Sequence, residues 1–146
     1  MKRVLFVCTG NTCRSPMAEA VMKHKRPDLE VQSAGIFAGH GQEANPKAVE
    51  ALQVQGISCD HASQPVTEEL MEWADVVLTM TAHHKLTLEM DYDSFKEKVY
   101  TLKEYVRGSS EDSSLDIDDP IGLTNETYVK TLNDITKCVD RFPKDK

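Results

Sequence analysis

Residues 4–7 (Val-Leu-Phe-Val) form a short, uninterrupted apolar run, the pattern of a strand buried on both faces inside a parallel sheet. Ser15-Pro16 then opens a helical stretch, with Ser15 expected as N-cap and Pro16 at the first helical position; the stretch runs to about Arg26, where Pro27 stops it. Residues 30–34 read as a second strand. Residues 46–55 read as a helix closed by Gly56, and Thr67 can cap a short helix that begins with Glu68 and Glu69. Residues 75–80 (DVVLTM) are a third strand, 82–90 a helix and 99–102 a fourth strand. The last helix is the clearest. Tyr128, Leu132, Ile135, Val139 and Phe142 recur at spacings of four, three, four and three, which makes one apolar stripe. Met17, Val21, Leu52 and Trp73 are further core candidates. Strands alternating with helices predict an α/β fold in three layers, an open parallel four-stranded sheet with helices on both faces. Ligands of such sheets bind beyond the carboxyl ends of the strands, so the first strand-to-helix turn, residues 8–15, is the place to look.

Composition adds limits. The 146 residues suit a single domain, 1–146, and 40% hydrophobic with 28% charged residues is an ordinary globular mixture. A net charge of −7 argues against non-specific nucleic-acid binding, which recruits basic faces. The apolar run near the N-terminus breaks at Cys8-Thr9-Gly10, too early for a secretion signal, and no stretch approaches the length of a membrane span. A cytoplasmic protein, acting as a monomer and away from membranes, is expected. Cys8, Cys13, Cys59 and Cys138 then read as reduced thiols rather than a disulfide framework. Cys59 and Cys138 are lone and distant and no His follows at ligand spacing, so no metal is expected. His40, His83 and His84 read as surface residues.

The turn itself reads Cys8-Thr9-Gly10-Asn11-Thr12-Cys13-Arg14-Ser15. A cysteine and an arginine separated by five residues, closed onto a helix start, let successive backbone N–H groups converge on one centre. The helix N-terminus adds donors and positive dipole, which suits a tetrahedral dianion. Gly10 is expected to supply freedom for the curl, and Asn11 to hold the loop's shape through its amide. Arg14 offers a planar fork for two phosphate oxygens, and the same positive field favours Cys8 as a thiolate. Ser15 can donate a hydrogen bond to that thiolate. Cys13 lies in the same loop, so a reversible Cys8–Cys13 disulfide is a candidate redox control.

VLFVCTGNTCRSPMAEA closely resembles the opening of the low-molecular-weight protein tyrosine phosphatase family, and the resemblance covers nearly the whole chain. It implies that family's fold, no cofactor, and a phosphocysteine mechanism on phosphorylated protein substrates. It further implies that Ser33, in Ser33-Ala34-Gly35, braces the loop and that His61 bonds the loop's asparagine. The family carries its acid as Asp-Pro late in the chain, which points to Asp119 in Asp118-Asp119-Pro120, with Asp118 as an accessory or bystander. The proline restricts Asp119 to extended geometry. Cys8 would attack phosphorus while Arg14 and the amides of Thr9 to Ser15 hold the oxygens, and Asp119 would protonate the leaving atom and later activate water.

Two positions depart from the tyrosine-specific pattern: Thr12, where a larger aliphatic residue is usual, and Ile121, where an aromatic is usual. The CTGNTCRS loop, TEELMEWADVVLTMTAHHK and KVYTLKEYV resemble the bacterial protein arginine phosphatase branch of the family. Thr12 would there admit a guanidinium and bond an N–H, although Ile121 departs from that branch too. Phosphoarginine is the expected substrate and phosphotyrosine the alternative. Arsenate reductase is a remote alternative, because it needs two further closely spaced cysteines. A non-catalytic phosphoprotein-binding module would have lost Cys8 or the acid.

Overall fold

The computed structural model describes residues 3–59, 61–107, 117 and 124–142. The elements are β1 (Arg3–Cys8), α1 (Arg14–Lys25), β2 (Glu30–Gly35), α2 (Pro46–Val54), α3 (Glu68–Trp73), β3 (Val76–Thr79), α4 (Ala82–Asp91), β4 (Val99–Thr101), α5 (Leu102–Arg107) and α6 (Asn125–Asp140), with a 3-10 helix at Asp93–Lys98. All strand pairs are parallel, in the order β2-β1-β3-β4. This is the open four-stranded sheet that the alternation predicts. Among the described residues no helix is long and apolar enough to cross a membrane.

β1 is central, and its side chains alternate between two cores. Val4, Phe6 and Cys8 pack with Met17, Val21, Leu52 and the stripe of α6. Leu5 and Val7 pack on the other face with Met71 of α3 and Leu88 of α4. The α6 stripe is fully buried as expected, although Phe142 lies just past the end of the helix. Trp73 is an exception among the core candidates. It is half-buried at the edge of the smaller cluster, where the Arg3 guanidinium lies 5.8 Å from its ring.

Local chemistry explains most boundaries. Gly56, at φ +76, ends α2 with two bonds of a left-handed cap, Gly56 N–H to the Gln53 carbonyl and Ile57 N–H to the Leu52 carbonyl. Thr67, Thr81 and Thr124 each cap a helix through their hydroxyls. α1 starts two residues earlier than expected, with Cys13 rather than Ser15 at the cap position and Pro16 third in the helix. The Ser15 hydroxyl is engaged elsewhere, as described below, and Pro16 is still tolerated because a first-turn N–H has no helical partner anyway. α5 begins where the fourth strand was expected to continue. Thr101 and Glu104 form a reciprocal pair, each side chain accepting the other's backbone N–H (2.9 and 3.0 Å), so the chain turns helical at Leu102.

Candidate active site

The strand order places a topological switch point between β1 and β3, since α1 covers one face after β1 and α4 the other after β3. The two strand ends are tied there by the Met80 N–H to the Val7 carbonyl (3.0 Å). The Cys8–Arg14 turn sits at this crevice, and its carbonyls face outward onto named donors. Cys8 O accepts from Ile36 N–H, Thr9 O from Phe37 N–H, Asn11 O from His61 Nε2, and Thr12 O from Asn45 N–H, at 2.7 to 2.9 Å. In a trans peptide the next N–H points the opposite way, so the amides of Thr9, Gly10, Thr12 and Cys13 face inward. That is an anion cradle.

The left-handed residue of the loop is Asn11, at φ +57, and not Gly10. Asn tolerates this region better than other side chains, and here its amide is held in return. A glycine is needed one layer below. A Cβ on Gly35 would lie 2.6 Å from Thr9 O and 2.9 Å from Asn11 N, so the loop rests directly on β2's backbone. The Ser33-Ala34-Gly35 segment therefore supports the loop through its glycine as well as its serine.

The Asn11 amide organises the rest. Its Oδ1 accepts the Gln64 N–H (3.0 Å), which fixes the amide's orientation, because a backbone N–H requires an oxygen. Nδ2 then donates to Ser15 Oγ and to Ser33 Oγ, both at 2.9 Å. Each hydroxyl has its own proton left to give. Ser33 donates to Glu19 Oε1 (2.5 Å), and Ser15 Oγ lies 2.8 Å from Cys8 Sγ. A thiolate can only accept, so a sulfur ionised here accepts a hydrogen bond from the Ser15 hydroxyl. Burial alone would push the Glu19 carboxyl up, but hydrogen bonds from His61, Lys23 and Ser33 together hold it below the usual 4.5. His61 is nearly enclosed, with Nδ1 3.7 Å from Glu19 Oε1 and Nε2 on the Asn11 carbonyl. A cavity of about 310 Å³ lies on the outer side of this network, lined by Glu19, Lys23, His24, Cys59 and His61 among others, and by neither Cys8 nor Arg14.

Arg14 is buried at the start of α1, and its Nη1 donates to the carbonyl of Ile117 (3.0 Å). Ile117 N–H in turn bonds the Met80 carbonyl, so this residue is fastened between the end of β3 and Arg14. Thr12 is half-buried, with its hydroxyl 4.0 Å from Cys13 Sγ. Cys13 is buried on the α6 side, 3.5 Å from Tyr128 Oη. Asp118, Asp119 and Ile121 lie outside the described residues. His40 and His83 are exposed as expected, but His84 is not a surface residue. It is buried, 5% exposed, with Nε2 2.8 Å from Thr9 Oγ1. It was unreadable from local pattern because 75 residues separate it from its partner.

The description "Low molecular weight phosphotyrosine protein phosphatase" covers a family model that matches residues 3–145. The chain belongs to this phosphatase family. Among curated proteins, it is 44% identical to a protein-arginine-phosphatase of Bacillus subtilis, over 97% of this chain and 94% of that one. Among solved structures, it matches the YwlE arginine phosphatase of Geobacillus stearothermophilus with a TM-score of 0.91 and 42% identity, over 97% of this chain and 90% of the other. A mutant YwlE arginine phosphatase with a phosphorylated active-site serine matches with a TM-score of 0.88 and 44% identity, over 95% and 91%. For a phosphatase, a loop with inward amides, a cysteine beside a hydroxyl donor and a buried guanidinium can hold a phosphoryl group and accept it on sulfur.

Proposed function

We propose that this chain is a cytoplasmic, cysteine-dependent protein phosphatase that hydrolyses phosphoarginine. The observation that carries the phosphatase reading is the Cys8 sulfur 2.8 Å from the Ser15 hydroxyl, at the start of a loop whose carbonyls are bonded outward. The Cys8 thiolate attacks phosphorus and the P–N bond breaks. Arg14 and the loop amides carry the equatorial oxygens, and Asp119 protonates the departing guanidine nitrogen. Water, deprotonated by Asp119, then attacks the phosphocysteine, and sulfur leaves as a thiolate stabilised by Ser15. The relative with a phosphorylated active-site serine supports a covalent phosphoenzyme. The bond from Arg14 to Ile117, two residues before Asp119 in the chain, supports the late Asp-Pro as the acid's source.

The arginine assignment rests on the relatives named arginine phosphatases and on Thr12, whose hydroxyl bonds a guanidinium N–H and whose small size leaves room for it. The test is kcat/KM on phosphoarginine and phosphotyrosine proteins side by side. Wild type favours phosphoarginine, and Cys8→Ser abolishes turnover of both. Thr12→Ile lowers the phosphoarginine-to-phosphotyrosine ratio by about tenfold, the worth of one hydrogen bond to a charged donor. A wild-type preference for phosphotyrosine with an unmoved ratio returns the chain to the tyrosine-specific activity of the family name. Mild peroxide, reduced to water as the two thiols couple, is expected to give a Cys8–Cys13 disulfide that dithiothreitol reverses. Peptide mapping that finds only sulfinic acid at Cys8 refutes that control.

A further inference from the structure

We infer that His84 is a positioning residue for the phosphate loop, acting through Thr9 on the flank opposite Asn11. The inference rests on the phosphatase reading, since it concerns how the loop's first amides are held for a phosphoryl group. Three observations carry it. The first is topological: the loops after β1 and β3 face each other across the switch point, and α4 brings His84 into that crevice. Thr79 Oγ1 donates to the Thr81 carbonyl (2.8 Å), and Thr81 Oγ1 accepts the His84 N–H (3.1 Å). These bonds set His84 in the first turn of a helix whose start is fixed to the end of β3. The second is burial. An imidazole 5% exposed is ordered by its surroundings, and its Nε2 is spent on Thr9 Oγ1 at 2.8 Å. The third is the position of Thr9 directly after Cys8, itself exposed at the loop's rim.

Thr9 is thereby gripped at two points, its carbonyl by Phe37 N–H (2.9 Å) and its hydroxyl by His84. The peptide between Thr9 and Gly10 cannot rotate without breaking one of them, so the inward aim of the Gly10 N–H is held. Amides already aimed at the phosphoryl oxygens need not reorganise as charge builds up on them. Loss of the grip therefore acts on the transition state more than on folding. The imidazole itself touches no substrate.

The test is a cycle of His84→Leu, Thr9→Val and the double variant, with His84→Gln as the conservative replacement that can still reach Thr9. Each is read by kcat/KM on p-nitrophenyl phosphate, by inhibition with vanadate and inorganic phosphate, and by Tm. His84→Leu and Thr9→Val should each lower kcat/KM by about fivefold to tenfold. Vanadate, which mimics the five-coordinate transition state, should weaken in step while phosphate weakens less. The double variant should lose no more than either single, and His84→Gln should recover most of the loss. The inference is overturned if Gln serves no better than Leu, if the two single losses multiply, or if Thr9→Val is indistinguishable from wild type. Should His84→Leu fail to fold, Thr9→Val and His84→Gln still settle it, because Thr9 is exposed. Wild-type turnover lost in Cys8→Ser is the separate control on the phosphatase reading, and it can hold while the His84 series fails.

Discussion

Asn11 and Thr9 stand two residues apart in one loop, yet the protein holds them in different ways. Asn11 is fully buried, and its side chain is committed to Gln64, Ser15 and Ser33 while its carbonyl is held by His61. Thr9 is at the surface, with one side-chain bond to His84 and one carbonyl bond to Phe37. The difference follows from the two sheet faces. Cys8 points to the face of α1 and α6, where the larger core lies, and Asn11 closes the loop on that side. Thr9 faces the smaller core of α3 and α4, where a single first-turn histidine reaches it. One flank is a connected polar network, in which loss of one member leaves others unsatisfied. The other is a local grip, removable at small structural cost.

The largest effect is expected on the Asn11 flank. Asn11→Gly keeps the positive φ but deletes every amide bond, so kcat/KM should fall by roughly 100-fold or more at an about 1 kcal/mol bond value. Asn11→Ala should be less stable than Asn11→Gly by about 1 kcal/mol, because a Cβ is disfavoured at φ +57. If Asn11→Gly loses no more activity than Thr9→Val, the contrast between the flanks is gone.

Gly35 underlies both flanks, so it tests whether they move as one. A methyl there meets Thr9 O and Asn11 N at under 3 Å, both of them backbone. Gly35→Ala should cost about 1–3 kcal/mol by chemical denaturation and lower activity as well. Intact activity in a destabilised variant would show that the loop and its floor are uncoupled.

The smallest effect is at the far end of the Asn11 network. The Glu19 carboxyl is held below 4.5, so the folded state binds its proton less readily than the unfolded chain does. Its stabilisation is present above about pH 4.5 and is lost as pH falls through the lower folded value. The difference in urea midpoint between wild type and Glu19→Gln should therefore shrink on acidification below that range. A difference that grew instead would mean that burial, which acts in the opposite direction, governs this carboxyl.

Much of this was legible along the chain wherever the cause is local. The buried run of β1, the α6 stripe and the Gly56 cap all depend on neighbours within a turn or a strand. The Thr101–Glu104 capping pair is local as well, three residues apart, yet α5 is missing from the sequence reading, which extends the fourth strand to residue 102 instead. Other features were mis-set because two local rules competed. Ser15 has the chemistry of a cap but spends its hydroxyl between Asn11 and Cys8. Gly10 has the freedom for a left-handed turn, but Asn11 takes that conformation because its amide is rewarded with three partners.

The fold class, the Cys8–Arg14 loop and the kind of ligand that loop suits can all be read along the chain. Apolar periodicity and a cysteine and arginine separated by five residues are properties of contiguous chain, and backbone geometry converts them directly into strands, helices and a curled turn. The residues that stand behind the loop come from folding alone. Gly35's contact with Thr9, Gln64's hold on Asn11, Arg14's bond to Ile117 and His84's bond to Thr9 each join residues far apart in the chain. They exist because parallel pairing in the order β2-β1-β3-β4 brings separate strand ends to one edge, an outcome of packing whole elements that no local pattern encodes.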